Sequence, residues 1–227
     1  MREKLENEAQ PKESQLGSQA KEKQENRLSD SRLTASNRAK ERSLVLIKPD
    51  GVVRGLTGEI FARFERAGLK IVGVKMVVAD SKILSKHYPD SMAVAIGEKA
   101  KASFTASGKP FPWSVQDYGN NILKQLRSSL TKSPLIAVVF EGVNCVLAVR
   151  KLCGATEPLA AVPGTVRGDY TTESIEYANM LNRPVWNLIH ASGNLEEART
   201  EIALWFTEKE LYDYARTQDA FLQAPGE

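Results

Sequence analysis

The sequence has little of what would mark it as exported, membrane-spanning or built around a metal. It holds two cysteines, Cys145 and Cys153, and two histidines, His87 and His190. A disulfide framework or a structural zinc site needs more ligands than that, so both cysteines read as small core residues in a reducing compartment. No apolar run approaches the ~18 residues of a membrane-spanning helix. The opening MREKLENEAQ lacks the apolar centre of a signal peptide, which points to the cytoplasm. The net charge of +3 over 227 residues is too small to argue for nucleic-acid binding, so partners must be argued from local sites. Neither the G-x-x-x-x-G-K-[ST] loop nor G-x-G-x-x-G occurs, so the common nucleotide loops are missing too.

What is present divides at about residue 40. Residues 1–40 contain no aromatic, no Val and no Ile. Such a segment cannot bury enough surface to offset its ordering entropy, and it reads as a disordered or loosely helical polar tail. Residues 41–227 read as one domain, with its first buried strand at Leu44–Ile47, ended by the turn Lys48-Pro49-Asp50-Gly51. A helix is expected over Thr57–Ala67, a strand over Leu69–Val78, and a short helix capped by Asp80 that reaches Tyr88. Residues 90–132 are less regular, with a helix at Asn121–Leu130. A strand at Leu135–Phe140 follows, then a helix that Asn144 could cap, a last strand at Val185–Ile189 and a helix over Leu195–Phe206. Asn194 and Glu197 stand at capping-box spacing at the start of that last helix. This order suits an α+β fold, the ferredoxin-like βαββαβ arrangement, with a four-stranded antiparallel sheet covered by helices.

Two features could carry chemistry. In Asn187-Leu188-Ile189-His190-Ala191-Ser192 an apolar strand delivers a histidine to its end. Imidazole is a nucleophile near neutral pH if its other nitrogen is held, and Glu201 lies at the inner edge of the following helix. A lone histidine at a strand end is more often structural. The second feature is a set of cations near turns: Lys48, Arg150 and Arg167. Fixed cations suit phosphate oxygens, although each alone is more often ordinary surface charge.

Taken together, these segments resemble one family. From about Arg42 to Phe206 the chain is similar to nucleoside diphosphate kinase. The resemblance rests on Leu46-Ile47-Lys48-Pro49-Asp50-Gly51, Lys86-His87-Tyr88 and Glu141-Gly142. It continues in Arg150 with Gly154-Ala155-Thr156-Glu157-Pro158, in Pro163-Gly164-Thr165-Val166-Arg167-Gly168-Asp169, and in Asn187 to Ser192 with Glu201 to Phe206.

The resemblance implies that His190 is the phosphorylated nucleophile, oriented by Glu201 and Ser192 and braced by Tyr88. It implies that Lys48 meets the transferring phosphate and the sugar, and that Asn187 meets the sugar 3′ hydroxyl. Arg150, Thr156 and Arg167 would hold the phosphates, with Mg²⁺ bridging those phosphates rather than held by the protein. The implied partners are ATP, other nucleoside tri- and diphosphates, and further copies of the chain in a homohexamer or tetramer. His87 has no such role and reads as structural. Two insertions, at about 91–130 and 171–183, depart from the family's core. Ungapped counting puts Ile122 where the family supplies its aromatic against the base, and Gly193 replaces an aspartate common in the family. A regulatory protein that keeps the fold without turnover is the competing reading. A nucleic-acid-binding module would rest only on the slightly basic tail.

Overall fold

The computed structural model describes residues 40–106 and 108–222. The expected tail at 1–39 lies outside the described residues. Contacts divide the chain into Glu41–Ala215 and a smaller unit that includes the last described helix, Thr217–Leu222. In that smaller unit Arg216 pairs with Asp219 at 2.9 Å.

The larger unit is built on β1 (Lys40–Ile47), β2 (Lys70–Val77), β3 (Leu135–Val143) and β4 (Ile189–Ala191). They form a four-stranded antiparallel sheet in the order β2-β3-β1-β4. Two strand–helix–strand units interleaved in that order give the ferredoxin-like arrangement. Alternate residues of each strand point to opposite faces, and both faces are buried. Leu44, Leu46, Leu135, Ala137 and Val139 join one apolar cluster with Leu84, Leu123 and Trp205. Val45, Ile47, Ile136, Val138 and Phe140 join the other with Ile60, Phe64 and Val149.

The helices that cover these faces are α1 (Pro49–Val53), α2 (Thr57–Arg66), α3 (Ser81–His87), α4 (Ala93–Ala106) and α5 (Val115–Thr131). They continue as α6 (Cys145–Cys153), α7 (Val166–Tyr170), α8 (Ile175–Met180) and α9 (Leu195–Trp205). Asp80 caps α3 by accepting from Ile83 N–H at 2.7 Å. Asn194 caps α9 by accepting from Glu197 N–H at 2.9 Å. The Glu197 carboxylate returns to Gly193 N–H, one residue earlier than a standard capping box. Among the described residues no helix is long and apolar enough to cross a membrane.

Several expected boundaries move. β1 starts at Lys40 rather than at Leu44, because Arg42 and Glu41 are tied to the body: Arg42 to Glu141 at 2.8 Å and Glu41 to Val146 N–H at 3.3 Å. The irregular stretch after Tyr88 is a helical hairpin, α4 and α5, and α5 begins at Val115 rather than Asn121. Ser114 sets that start, its side chain accepting from Asp117 N–H at 3.1 Å. Asn144 precedes α6 in the left-handed region and makes no side-chain cap.

The last strand is Ile189–Ala191, not Val185–Ile189. Its expected first half has other partners. Leu188 sits at φ 66, its N–H bonds to Asp50 and its carbonyl accepts from Lys48 N–H. Backbone groups taken by side chains and turns are lost to a ladder.

Candidate active site

β4 pairs with β1 so that His190 lies opposite Leu46. Cross-strand partners share a face, which turns the imidazole toward α3 and α9. There His190 Nε2 meets Glu201 Oε1 at 2.9 Å. Ser192 Oγ donates to Glu201 Oε2 at 2.6 Å and accepts from Leu44 N–H at 3.2 Å. An ionised carboxylate only accepts, so the ring proton belongs on Nε2 and the Nδ1 lone pair is left available. Burial pushes the Glu201 carboxyl up, but the His190 and Ser192 hydrogen bonds outweigh it and hold it below its ordinary value.

A second group lies around the backbone turn before β4. Lys48 is buried, and its Nζ donates to Asn187 Oδ1 at 2.5 Å. Asn187 Nδ2 donates to the carbonyl of Thr156 at 2.9 Å. The buried Arg167 donates to the carbonyls of Asn187, Gly154 and Ile189 at 3.2, 2.7 and 2.6 Å. That guanidinium therefore ties the turn after α6, the Asn187 loop and β4 together. Arg63 anchors the turn that carries it, reaching Asp169 at 2.7 Å and Gly164 O at 3.1 Å.

Arg150, on α6, and Thr156 are exposed at the same end. Burial, and then the neighbouring Arg150 charge, depress the Arg167 pKa. Burial lowers Lys48 to about 8; Asp50 opposes that shift and Arg167 adds to it. Asp50 is the carboxylate that acts on both Lys48 and Arg167, and with Arg150 beside them the cations outnumber it, a balance that fits an anion.

All nine residues singled out in the sequence thus fall into two linked groups at one end of the sheet. Tyr88 is buried, its ring 6.0 Å from that of His190, and its carbonyl is held by Arg127. His87 is closer, with ring centroids 4.6 Å apart in an edge-to-face arrangement. The sequence signal for it was its adjacency to Tyr88, which alone does not tell a packing residue from a site residue. A groove of about 570 Å³ between α1, the end of α5 and Thr171–Glu173 contains none of the nine. Buried thiols at Cys145 and Cys153, raised to about 12 and about 11, are inert packing groups.

The family model described as nucleoside diphosphate kinase matches residues 41–108 and 115–211. The chain belongs to the nucleoside diphosphate kinase family. It is 41% identical over 181 residues to the nucleoside diphosphate kinase of Pyrococcus furiosus, covering 80% of this chain and 92% of that protein. It is 38% identical over 179 residues to that of Borreliella burgdorferi, covering 79% and 95%. Among solved structures it resembles an NDP kinase from Pyrobaculum aerophilum (TM-score 0.72, 38% identity, 77% of this chain and 100% of that one). It also resembles a transition-state mimic of the Borrelia burgdorferi enzyme with bound vanadate and ADP (TM-score 0.68, 36% identity, 81% and 96%). Nucleoside diphosphate kinase is therefore the enzyme class of this chain.

Proposed function

We propose that this kinase works by a ping-pong mechanism in which His190 carries the phosphoryl group between two nucleotides. The observation that carries the reading is the pair of hydrogen bonds on Glu201, one from His190 Nε2 and one from Ser192. With Nε2–H held, Nδ1 attacks the γ-phosphorus of a nucleoside triphosphate. The P–N bond forms as the bond from phosphorus to the β–γ bridging oxygen breaks, and that electron pair leaves on the diphosphate. Positive charge developing on the imidazole is stabilised by Glu201. A second diphosphate then takes the group back by the reverse step, its terminal oxygen attacking phosphorus and Nδ1 leaving.

Lys48 and Arg167 bring positive charge to the turn beside β4, and with exposed Arg150 and Thr156 they make a site for the triphosphate chain. Asn187 and Lys48 are the groups for the sugar and the transferring phosphate. Tyr88 braces the histidine. The residues fit a metal that enters with its substrate. The metal-competent cluster of three or more side chains among the described residues, His87, His190 and Glu201, is occupied by its own hydrogen bonds. Mg²⁺ would be held by the nucleotide phosphates that Arg150, Thr156 and Arg167 bind, and it would neutralise phosphate charge. Cytoplasmic nucleotide-pool maintenance and assembly as a homohexamer or tetramer belong to the same proposal.

Incubation with γ-labelled ATP should leave acid-labile label on His190 in the absence of acceptor, discharged by added GDP. Label that survives His190→Gln would overturn the mechanism. A folded wild-type chain that takes no label would favour a regulatory protein that keeps the fold without turnover.

A further inference from the structure

His87 lies beside the nucleophile's carboxylate with the means to compete for it. Its ring is buried, and its Nδ1 sits 3.7 Å from Glu201 Oε1, the same oxygen that His190 engages at 2.9 Å. If Nδ1 of His87 carried a proton, a small ring rotation would let it donate to that oxygen. Trp205, at the end of the helix that carries Glu201, prevents this. Its indole Nε1–H points at His87 Nδ1 at 3.3 Å. Indole nitrogen only donates, so Nδ1 must accept, and the proton of a neutral His87 belongs on Nε2. Nε2 is buried and has no partner among the described residues. Leaving a buried donor unpaired is unfavourable, so the ring is held in its less comfortable tautomer.

We propose that Trp205 is a positioning residue: its indole pins the tautomer of His87, which is itself no part of the catalytic or binding set, so that Glu201 is reserved for His190 and Ser192. The inference rests on the phosphohistidine reading of the site. His87 stays neutral in this arrangement. Burial, then the neighbouring His190, lower its pKa to about 3, with Glu201 opposing and Lys48 adding to the shift. Glu201, His190 and Lys48 are thus the charged or titratable groups that act on it. An uncharged, edge-on ring 4.6 Å from His190 also limits the rotamers open to the nucleophile.

The pairing predicts a non-additive result that a merely structural role would not give. Trp205→Phe keeps an aromatic ring but removes the N–H. His87 can then protonate Nδ1 and take the carboxylate, so kcat falls roughly tenfold, the size expected for losing one charge-assisted hydrogen bond, while KM holds. His87→Phe removes the competitor and stays within about threefold of wild type. Adding His87→Phe to Trp205→Phe should then restore kcat above that of Trp205→Phe alone. Wild-type phosphoenzyme formation is measured alongside, so failure of the phosphohistidine reading is seen separately. A double variant no faster than Trp205→Phe, or a Trp205→Phe enzyme as fast as wild type, overturns the proposal. Should Trp205→Phe fail to fold, nitrogen-15 spectra of the wild-type chain decide. They should show His87 protonated at Nε2 and His190 protonated at Nε2, and a His87 proton found on Nδ1 overturns it.

Discussion

Glu201 accepts from His190 at Nε2, 2.9 Å away, and so decides which ring nitrogen is free to react. The other carboxylate oxygen is held by Ser192, so the pair cannot drift apart without breaking a second bond. Orientation here comes from one helix, α9, packed against the strand it follows.

The first prediction follows from that contact. His190→Gln should abolish phosphoenzyme and transfer. Glu201→Gln should leave phosphoenzyme detectable but slow its formation. Losing a charge-assisted hydrogen bond is worth about 1.5–3 kcal/mol, a factor of roughly 10 to 150 in rate. The phosphorylated nitrogen, read by NMR of the denatured phosphoprotein, should be Nδ1. Phosphate found on Nε2 would contradict the hydrogen-bond assignment.

Lys48 gives a pH test in which stability and binding move in opposite directions. Its pKa is lowered from 10.5 to about 8 by burial. Between those values the unfolded chain keeps a proton that the folded chain has lost, so this group makes the nucleotide-free protein more stable as pH rises through that window. Nucleotide affinity should fall over the same window, because the neutral amine no longer neutralises phosphate. Lys48→Arg, charged throughout, should flatten the affinity profile. Wild-type affinity that holds level from pH 7 to 10 would remove Lys48 from the phosphate site.

Breadth of substrate is the third expectation. In the proposed mechanism Lys48, Arg150, Thr156, Arg167 and Asn187 serve phosphate and sugar rather than a base. ATP should therefore phosphorylate GDP, CDP and UDP at rates within about two orders of magnitude, a spread of roughly 2.7 kcal/mol in barrier. A far larger preference would mean that the base is read, and the α4–α5 hairpin after Tyr88 is where to look.

What the sequence made legible follows from where its signals are local. β1, β3 and the caps at Asp80 and Asn194 were readable because a short continuous apolar run and a capping side chain act within a few residues. Of the nine candidate residues, His190, Glu201, Lys48, Arg150 and Arg167 were readable from residue type and position, while Ser192, Tyr88, Thr156 and Asn187 came only through the family resemblance, since they lie on separate segments that only the fold brings together. The α4 helix escaped because its inward stripe is Ala93, Ile96, Gly97, Ala100 and Phe104, mostly small residues with a glycine that reads as a breaker. The last strand was misplaced because Val185–Leu188 has strand composition, yet Asp50 and Lys48 claim the backbone of Leu188 from across the sequence.

Glu141 illustrates a motif residue with a structural explanation. It is buried, pairs with the buried Lys70 at 2.7 Å and accepts from Arg42 at 2.8 Å. Burial pushes its carboxyl up, while the Lys70 and Arg42 bonds outweigh that and leave it below 4.5. Its contribution is therefore present above the unfolded value and lost as pH falls through the folded one. Glu141→Gln leaves Lys70 with Asp213 and the Tyr214 carbonyl as partners but without the buried carboxylate, and should cost about 1.5–3 kcal/mol. Denaturant unfolding should show the loss and should show it shrinking in acid. The folded variant should phosphorylate His190 at the wild-type rate, and a large catalytic defect at unchanged stability would mean that Glu141 belongs to the site.

The α4–α5 hairpin supplies the last prediction. α4 and α5 approach so closely that a Cβ on Gly97 would lie 2.0 Å from the carbonyl of Val115, and one on Gly119 1.9 Å from that of Ala93. Neither neighbour can yield as a side chain would, so the helices themselves must part. α5 also carries Arg127, whose Nε donates to the carbonyl of Tyr88 at 3.0 Å and whose guanidinium reaches Asp90 at 2.7 Å. Parting the hairpin therefore pulls on the segment that carries Tyr88, whose ring lies 6.0 Å from that of His190. Gly119→Ala should destabilise the protein by about 1–3 kcal/mol, the usual cost of overpacking, lowering Tm by roughly 2–12 °C. It should also reduce kcat/KM, by less than about tenfold, since no group that touches substrate is removed. Gly58→Ala is the control: a Cβ there meets nothing within 4 Å, and helical alanine should leave stability equal or slightly higher. If Gly119→Ala matched Gly58→Ala in both Tm and kcat/KM, α4 and α5 would not be packed as tightly as described, and the Arg127 link to Tyr88 would have no functional consequence.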